Sequence, residues 1–306
     1  MHELILHHYD FSPFSEKIRM IFGLKGLKWR SVIIPSVMPK PDLIPLTGGY
    51  RHTPVLQIGA DIFCDTRLIA RELDRRHPQP PLLDTQHEGL SLAVEAWAER
   101  DLFWPIARYV SGINAEMVAP DLHADRAALR GKHTPSFRRL KSVAEMSYGL
   151  VKTQLSRVEN MLRDGRPFLL SKKPGLADLA VYHGLWFLSA MPIDCSAALG
   201  SCAATKLWMD RIEAIGHGRN EEMFPREAIE VARKSTPATT KSSRPTKFDP
   251  ALGTRVAIRP EEYRTDEVEG HLVFIDYDES ALYRNDPSVG DVVVHFPRVG
   301  YAMKQL

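Results

Sequence analysis

Apolar positions change their spacing three times along this chain. Over residues 1–80, short runs alternate with helical periods. Glu3-Leu4-Ile5-Leu6-His7 predicts a strand, and Trp29 to Ile34 predicts a second. Between them, Ser12-Pro13 opens a helix, because Ser caps and Pro suits the first helical position. Ile18, Ile21 and Phe22 supply its period, and Gly26 stops it. Pro39 to Leu46 holds a short helix that Gly48-Gly49 break. Pro54 to Ile58, Gly59-Ala60-Asp61 and Ile62-Phe63 read as a hairpin, followed by a helix over Asp65 to Arg76. The order is βαβαββα, and its first βαβ implies a parallel pair with a right-handed crossover.

Pro78 to Pro81 breaks the pattern. From Thr85 to about Arg233 the period is helical, as in Ala93, Ala96, Trp97, Arg100 and Trp104, and strand signals are nearly absent. Residues 234–250 (KSTPATTKSSRPTKFDP) have a linker composition. Beyond them, Thr254–Arg259, His271–Asp276, Ala281–Arg284 and Asp291–Phe296 are four β-like runs. The expected division is an α/β domain (1–80), an all-α helical bundle (85–233), a linker (234–250) and a small all-β, barrel-like domain (251–306).

Bulk composition narrows the function classes. A net charge of +2 over 306 residues supplies no field for nucleic acid or an anionic membrane surface. Residues 251–306 carry six Lys/Arg against ten Asp/Glu, a net of −4, the wrong sign for a nucleic-acid-binding barrel. The apolar stretch Leu179 to Ile193 is shorter than the about 20 residues a membrane span needs. Cys64, Cys195 and Cys202 form no disulfide framework, and Met1-His2-Glu3 does not start like a signal peptide, so a cytoplasmic setting is expected. No metal-ligating motif occurs, and His7 and His8 point to opposite faces of their strand.

The sharpest chemical feature is Ser12-Pro13-Phe14-Ser15, between the first strand and first helix. With its S-P-F-S-x-K-[IV]-R pattern, this segment resembles the serine-type, bacterial-like members of the cytosolic glutathione transferase superfamily. The resemblance extends to about residue 230 and implies a thioredoxin-like first domain. It places the thiol-activating serine at Ser12. Ser15 falls where a glutaredoxin has its resolving cysteine, so this loop cannot form a disulfide, which favours thiolate activation over redox chemistry. A free thiol titrates near ~8.5. A hydroxyl donating to sulfur at a helix N-terminus favours the anion twice over, and a shift of about two units needs only ~2.7 kcal/mol. Tyr9 is an alternative activator, less well placed.

The same resemblance implies that Pro54, in His52-Thr53-Pro54, is cis and leaves the Thr53 N–H and C=O to bond the cysteinyl backbone of glutathione. His52 or Arg51 would meet the glycyl carboxylate. Asp65-Thr66 would hold the γ-glutamyl end, the hydroxyl and helix N–H groups taking its carboxylate and the acid its α-ammonium. In the helical domain, Gly175-Leu176-Ala177-Asp178 matches a structural capping box with Gly in place of Ser or Thr.

Glutathione is thus the expected co-substrate and a small apolar electrophile the other, in a pocket whose candidate liners are Phe14, Trp97, Phe103, Trp104 and Tyr109. A homodimer is the family's usual state. Three chemistries stay open: transfer, a lyase or isomerase reaction on the same thiolate, and non-catalytic binding or scaffolding. The tail would cap the cleft, extend a dimer contact or dock a protein partner.

Overall fold

A computed structural model describes residues 3–238, 242–262 and 267–306. Met1, His2, linker positions 239–241 and tail positions 263–266 lie outside the described residues. The first segment runs β1 (Ile5–His8), α1 (Pro13–Leu24), β2 (Lys28–Ile33), α2 (Ile44–Thr47), β3 (Val55–Ile58), β4 (Asp61–Cys64) and α3 (Thr66–Arg76). Ser12 caps α1, Pro13 takes its first position, and Gly26 at φ +61° ends the turn beyond it. β1 pairs parallel with β2 and antiparallel with β3.

The helical segment comprises α4 (Glu88–Trp97), a π-helical turn (Ala98–Leu102), α5 (Phe103–Ile113), α6 (Pro120–Leu129), α7 (Phe137–Met161), α8 (Leu176–Trp186) and α9 (Ala203–Glu213). α8 is buried on all sides from Leu176 to Leu185, as a helix apolar all round must be. Asp178 accepts the Gly175 N–H at 3.0 Å, while glycine has no side chain to return the bond. The carboxylate also takes the Leu169 N–H and the Trp208 indole N–H, both at 2.8 Å.

One strand falls inside the segment expected to be wholly helical. β5 (Arg219–Glu222) pairs parallel with β2, and α10 (Pro225–Arg233) follows it. All four β5 residues are polar and exposed, so no alternation marks them, and their charges suit an open sheet edge.

The β-rich tail forms β6 (Arg255–Pro260), β7 (Val268–Ile275), β8 (Glu279–Asp286), β9 (Gly290–Pro297) and β10 (Tyr301–Gln305). Its strands hydrogen-bond in a row instead of closing a barrel. β9 pairs parallel with β4, so one ten-stranded sheet runs β10-β6-β7-β8-β9-β4-β3-β1-β2-β5. The physical reason is apolar continuity. Ile5, Val55 and Ile62 pack in the same core as Leu272, Val294 and Phe296, all fully buried.

Beside the β4–β9 seam, one histidine bridges two buried carboxylates. His295 Nδ1 lies 2.7 Å from Glu279 and Nε2 lies 3.0 Å from Asp61, with the Phe63 ring stacked on the imidazole at 4.3 Å. Burial opposes protonation, but the Asp61 and Glu279 carboxylates outweigh it and raise the imidazole pKa. A raised folded-state pKa stabilises fully below the unfolded value near ~6.5 and is lost as pH climbs through the folded one. His295→Gln is therefore expected to cost more stability at pH 6 than at pH 9, read as the difference in urea midpoints. An equal penalty at both values would contradict an ionised His295.

Candidate functional site

A cleft of about 720 Å³ opens where β1 turns into α1, beside the start of α3 and below α5 and α6. Ser12, His52, Thr53, Pro54, Asp65 and Thr66 all line it.

Ser12 is 2% exposed and closes the first turn of α1. Its Oγ accepts the Ser15 N–H at 3.2 Å. The Ser12 O–H proton has no acceptor among the described residues, so it can donate into the cleft at the positive end of α1. Ser15 is fully buried and does not line the cleft. Tyr9 does line it, and its hydroxyl accepts from Arg126 at 2.9 Å.

The Thr53–Pro54 peptide is cis. Neither the N–H nor the C=O of Thr53 has a partner among the described residues, and β3 pairing starts only at Val55. The Thr53 hydroxyl accepts from Lys40 Nζ at 3.1 Å, and Lys40 also donates to the Arg51 carbonyl at 2.8 Å. Arg51 is ion-paired to Asp125, and Arg126 stands beside it on α6. Burial, reinforced by Arg126 and Arg51, brings the Lys40 pKa down to about 7. Burial, with Arg126, Lys40 and Arg51, brings His52 down to about 3, so its ring is neutral. Lys40, Arg51 and Arg126 thus gather around one carboxylate, that of Asp125. Lys40 and Arg126 carry no sequence signal, since solitary basic residues in loops and on helices are ordinary surface.

The wall around the start of α3 is acidic. Asp65 caps α3 at φ +74°, a conformation costing a non-glycine residue ~1–3 kcal/mol and often kept at ligand sites. Its carboxylate accepts the Arg67 N–H at 2.9 Å. Thr66 opens α3, so its N–H has no acceptor within the helix. Its hydroxyl, expected to reach a ligand carboxylate, donates instead to Glu99 at 3.2 Å.

Glu99 belongs to a buried cluster under α3. Lys17, 0% exposed, contacts Glu95 at 2.5 Å and Glu99 at 2.7 Å, and Arg67 contacts Glu99 at 2.8 Å. Burial would lower the Lys17 pKa, but Glu95 and Glu99 hold it raised. Burial would raise Glu99, yet Lys17 and Arg67 bring it down to about 2. Burial, with Glu99 adding, raises Asp65, and burial also raises Glu95. Three carboxylates thus share two cations among these residues.

Of the candidate aromatic liners, Phe14, Phe103 and Trp104 face the cleft. Trp97 does not, lying in a shallow surface hollow with Arg157 and Met161, and Tyr109 packs against Tyr148 at 5.2 Å. Helical spacing put all of them on helices without deciding which face met the cleft. His7 bonds Gln57 at 2.9 Å and His8 bonds Ser31 at 2.9 Å, both as core groups. No cluster suited to a metal ion occurs among the described residues. The tail also reaches the cleft, through Pro260, Glu261, Glu262, Val299, Gly300 and Tyr301.

Residues 6–81 match the family described as glutathione S-transferase, N-terminal domain, and residues 122–215 match glutathione S-transferase, C-terminal domain. A crystal structure of a GST-like protein from Pseudomonas syringae is 38% identical, with all of both chains covered and a TM-score of 0.81, so it shares the tail. The beta-etherase LigF from Sphingobium sp. strain SYK-6 is 16% identical over 69% of this chain and 95% of its own, with a TM-score of 0.53, a likeness of fold. FtsZ-localized protein A of Caulobacter vibrioides is 21% identical over 181 residues, 58% of this chain and 74% of that protein. With a thioredoxin-like first segment, a helical second segment and these matches, the chain belongs to the glutathione transferase superfamily.

Proposed function

We propose that this chain is a glutathione transferase in which Ser12 holds the glutathione thiolate for attack on a small apolar electrophile. One observation carries the reading: a single cleft gathers the set of groups that the tripeptide needs. Lys40, Arg51 and His52 lie around the unpaired Thr53 main chain, and the Ser12 hydroxyl and Asp65 line the same cleft. That set complements a glycyl carboxylate, a cysteinyl backbone with its thiol, and a γ-glutamyl α-amino acid group. The Thr66 N–H at the α3 terminus takes the γ-glutamyl carboxylate.

In this reading Ser12 donates its O–H to the sulfur, and the thiol proton leaves to solvent. The thiolate then forms a C–S bond to an electrophile held against Phe14, Phe103 and Trp104. In displacement the leaving group departs with the bonding pair, and in addition the neighbouring atom takes a proton. Thiol ionisation and proximity supply the rate. A lyase or isomerase would use the same thiolate. The three cysteines are unpaired, which supports a reducing, cytoplasmic setting. The proposed homodimer would have to avoid the β4 edge, which β9 occupies.

Calorimetric titration with glutathione, alongside turnover of activated aryl halides, tests the reading. Saturable binding and conjugation are expected. Lys40→Met is expected to weaken glutathione about tenfold, the loss of one hydrogen-bonded charge. Absent binding would contradict the assignment. Binding without turnover would favour a non-catalytic binding or scaffolding role, a second reading supported by the relative named for its localisation with FtsZ.

A further inference from the structure

We propose that the C-terminal strands complete the amine end of the cleft, with Tyr301 a positioning residue that holds Asp65 toward the free α-ammonium of the bound thiol peptide. This rests on the glutathione reading above and extends it to residues beyond both family matches.

Tyr301 Oη lies 3.2 Å from Asp65 Oδ2 and 3.2 Å from Tyr50 Oη. With Asp65 ionised the carboxylate only accepts, so Tyr301 donates to it and Tyr50 donates to Tyr301. The Tyr301 ring is fixed by Phe296 at 5.7 Å, and Phe296 meets Tyr50 at 5.9 Å, so this hydroxyl sits on packed core. Asp65 is thus gripped from two sides, by the Arg67 N–H within α3 and by a strand that begins 236 residues later in sequence.

The neighbouring turn is tied to the same place. Tyr301 is in register with Pro260 across the β10–β6 pair, and the Glu261 N–H donates to the Gly300 carbonyl at 2.9 Å. Glu261 and Glu262 are exposed and line the cleft. The described tail residues in the cleft bring two carboxylates and one hydroxyl, and no cation. They bring two carboxylates to the turn that borders Tyr301. Such an end selects a cationic amine and discriminates against a ligand lacking it.

Full-length wild type, Tyr301→Phe and Glu261→Gln/Glu262→Gln should be titrated with glutathione and with its desamino analogue, glutaryl-cysteinylglycine. Wild type is expected to prefer glutathione at least about tenfold, which is ~1.4 kcal/mol. Each variant is expected to cut that preference to about threefold or less by weakening glutathione and sparing the analogue. A preference unchanged in both variants, with glutathione still bound, overturns the inference and leaves the functional reading standing. No glutathione binding by wild type overturns both. Should Tyr301→Phe lose its native circular dichroism, the exposed double variant decides alone.

Discussion

Lys17→Met is expected to lower the free energy of unfolding by about 3–5 kcal/mol at pH 7–8, the cost of removing one partner from a buried ion cluster. Lys17 has no exposed surface and joins α1 to the helical segment through Glu95 and Glu99. Methionine fills similar volume, so packing changes little, but two buried carboxylates lose their cation. Glu99 keeps Arg67, whereas Glu95 has no other ion-pair partner among the described residues. Glu95 therefore meets the loss by taking a proton, its carboxyl already being raised by burial. The sign follows: a folded pKa raised further penalises the folded state progressively as pH climbs from the unfolded value near ~4.3 to the folded one, fully above it and not at all below the unfolded value. The Lys17→Met deficit should shrink from pH 8 to pH 5, and Lys17→Met/Glu95→Leu should recover most of it at pH 8. Urea unfolding of the three proteins at both pH values checks this. A pH-independent deficit, or none, would show that the cluster is not held by charge.

The second large effect concerns Ser12. Ser12→Ala removes both the cap of α1 and the only hydroxyl proposed to face the sulfur. Cap loss alone costs ~1 kcal/mol of stability. Loss of thiolate stabilisation should raise the thiol pKa of bound glutathione by about two units, toward the free value near ~8.5, and slow conjugation at pH 7 about 25-fold. Ser12→Asp separates the two roles. It keeps a capping oxygen yet offers no proton at neutral pH, so the fold should stay stable while activity falls as in Ser12→Ala.

The motifs that punctuate helices were the ones legible in sequence. Ser12-Pro13 and Asp65-Thr66 announce helix starts because capping is a local matter, settled within one turn. The cleft that collects them follows from the βαβαββα order. What stayed hidden depends on distant partners. The Thr66 hydroxyl turns to Glu99 because Lys17 sits beneath it, a contact spanning three helical elements. Tyr301 meets Asp65 through β10 in a sheet whose tail and first strands share one core. The tail's periodicity predicted strands but could not say that β9 would take the β4 edge. Its burial against that core also means that deleting residues 236–306 would expose Ile62 and Val55 to water.

The central claim is that a thiol loses its proton beside Ser12, and the ultraviolet thiolate band of bound glutathione reads this directly. Titrated from pH 5 to pH 10, the wild-type complex should show the band rising with a midpoint about two units below the free thiol, and Ser12→Ala should move the midpoint back. An identical midpoint in the two proteins, or a wild-type complex with no band at neutral pH, would contradict the account.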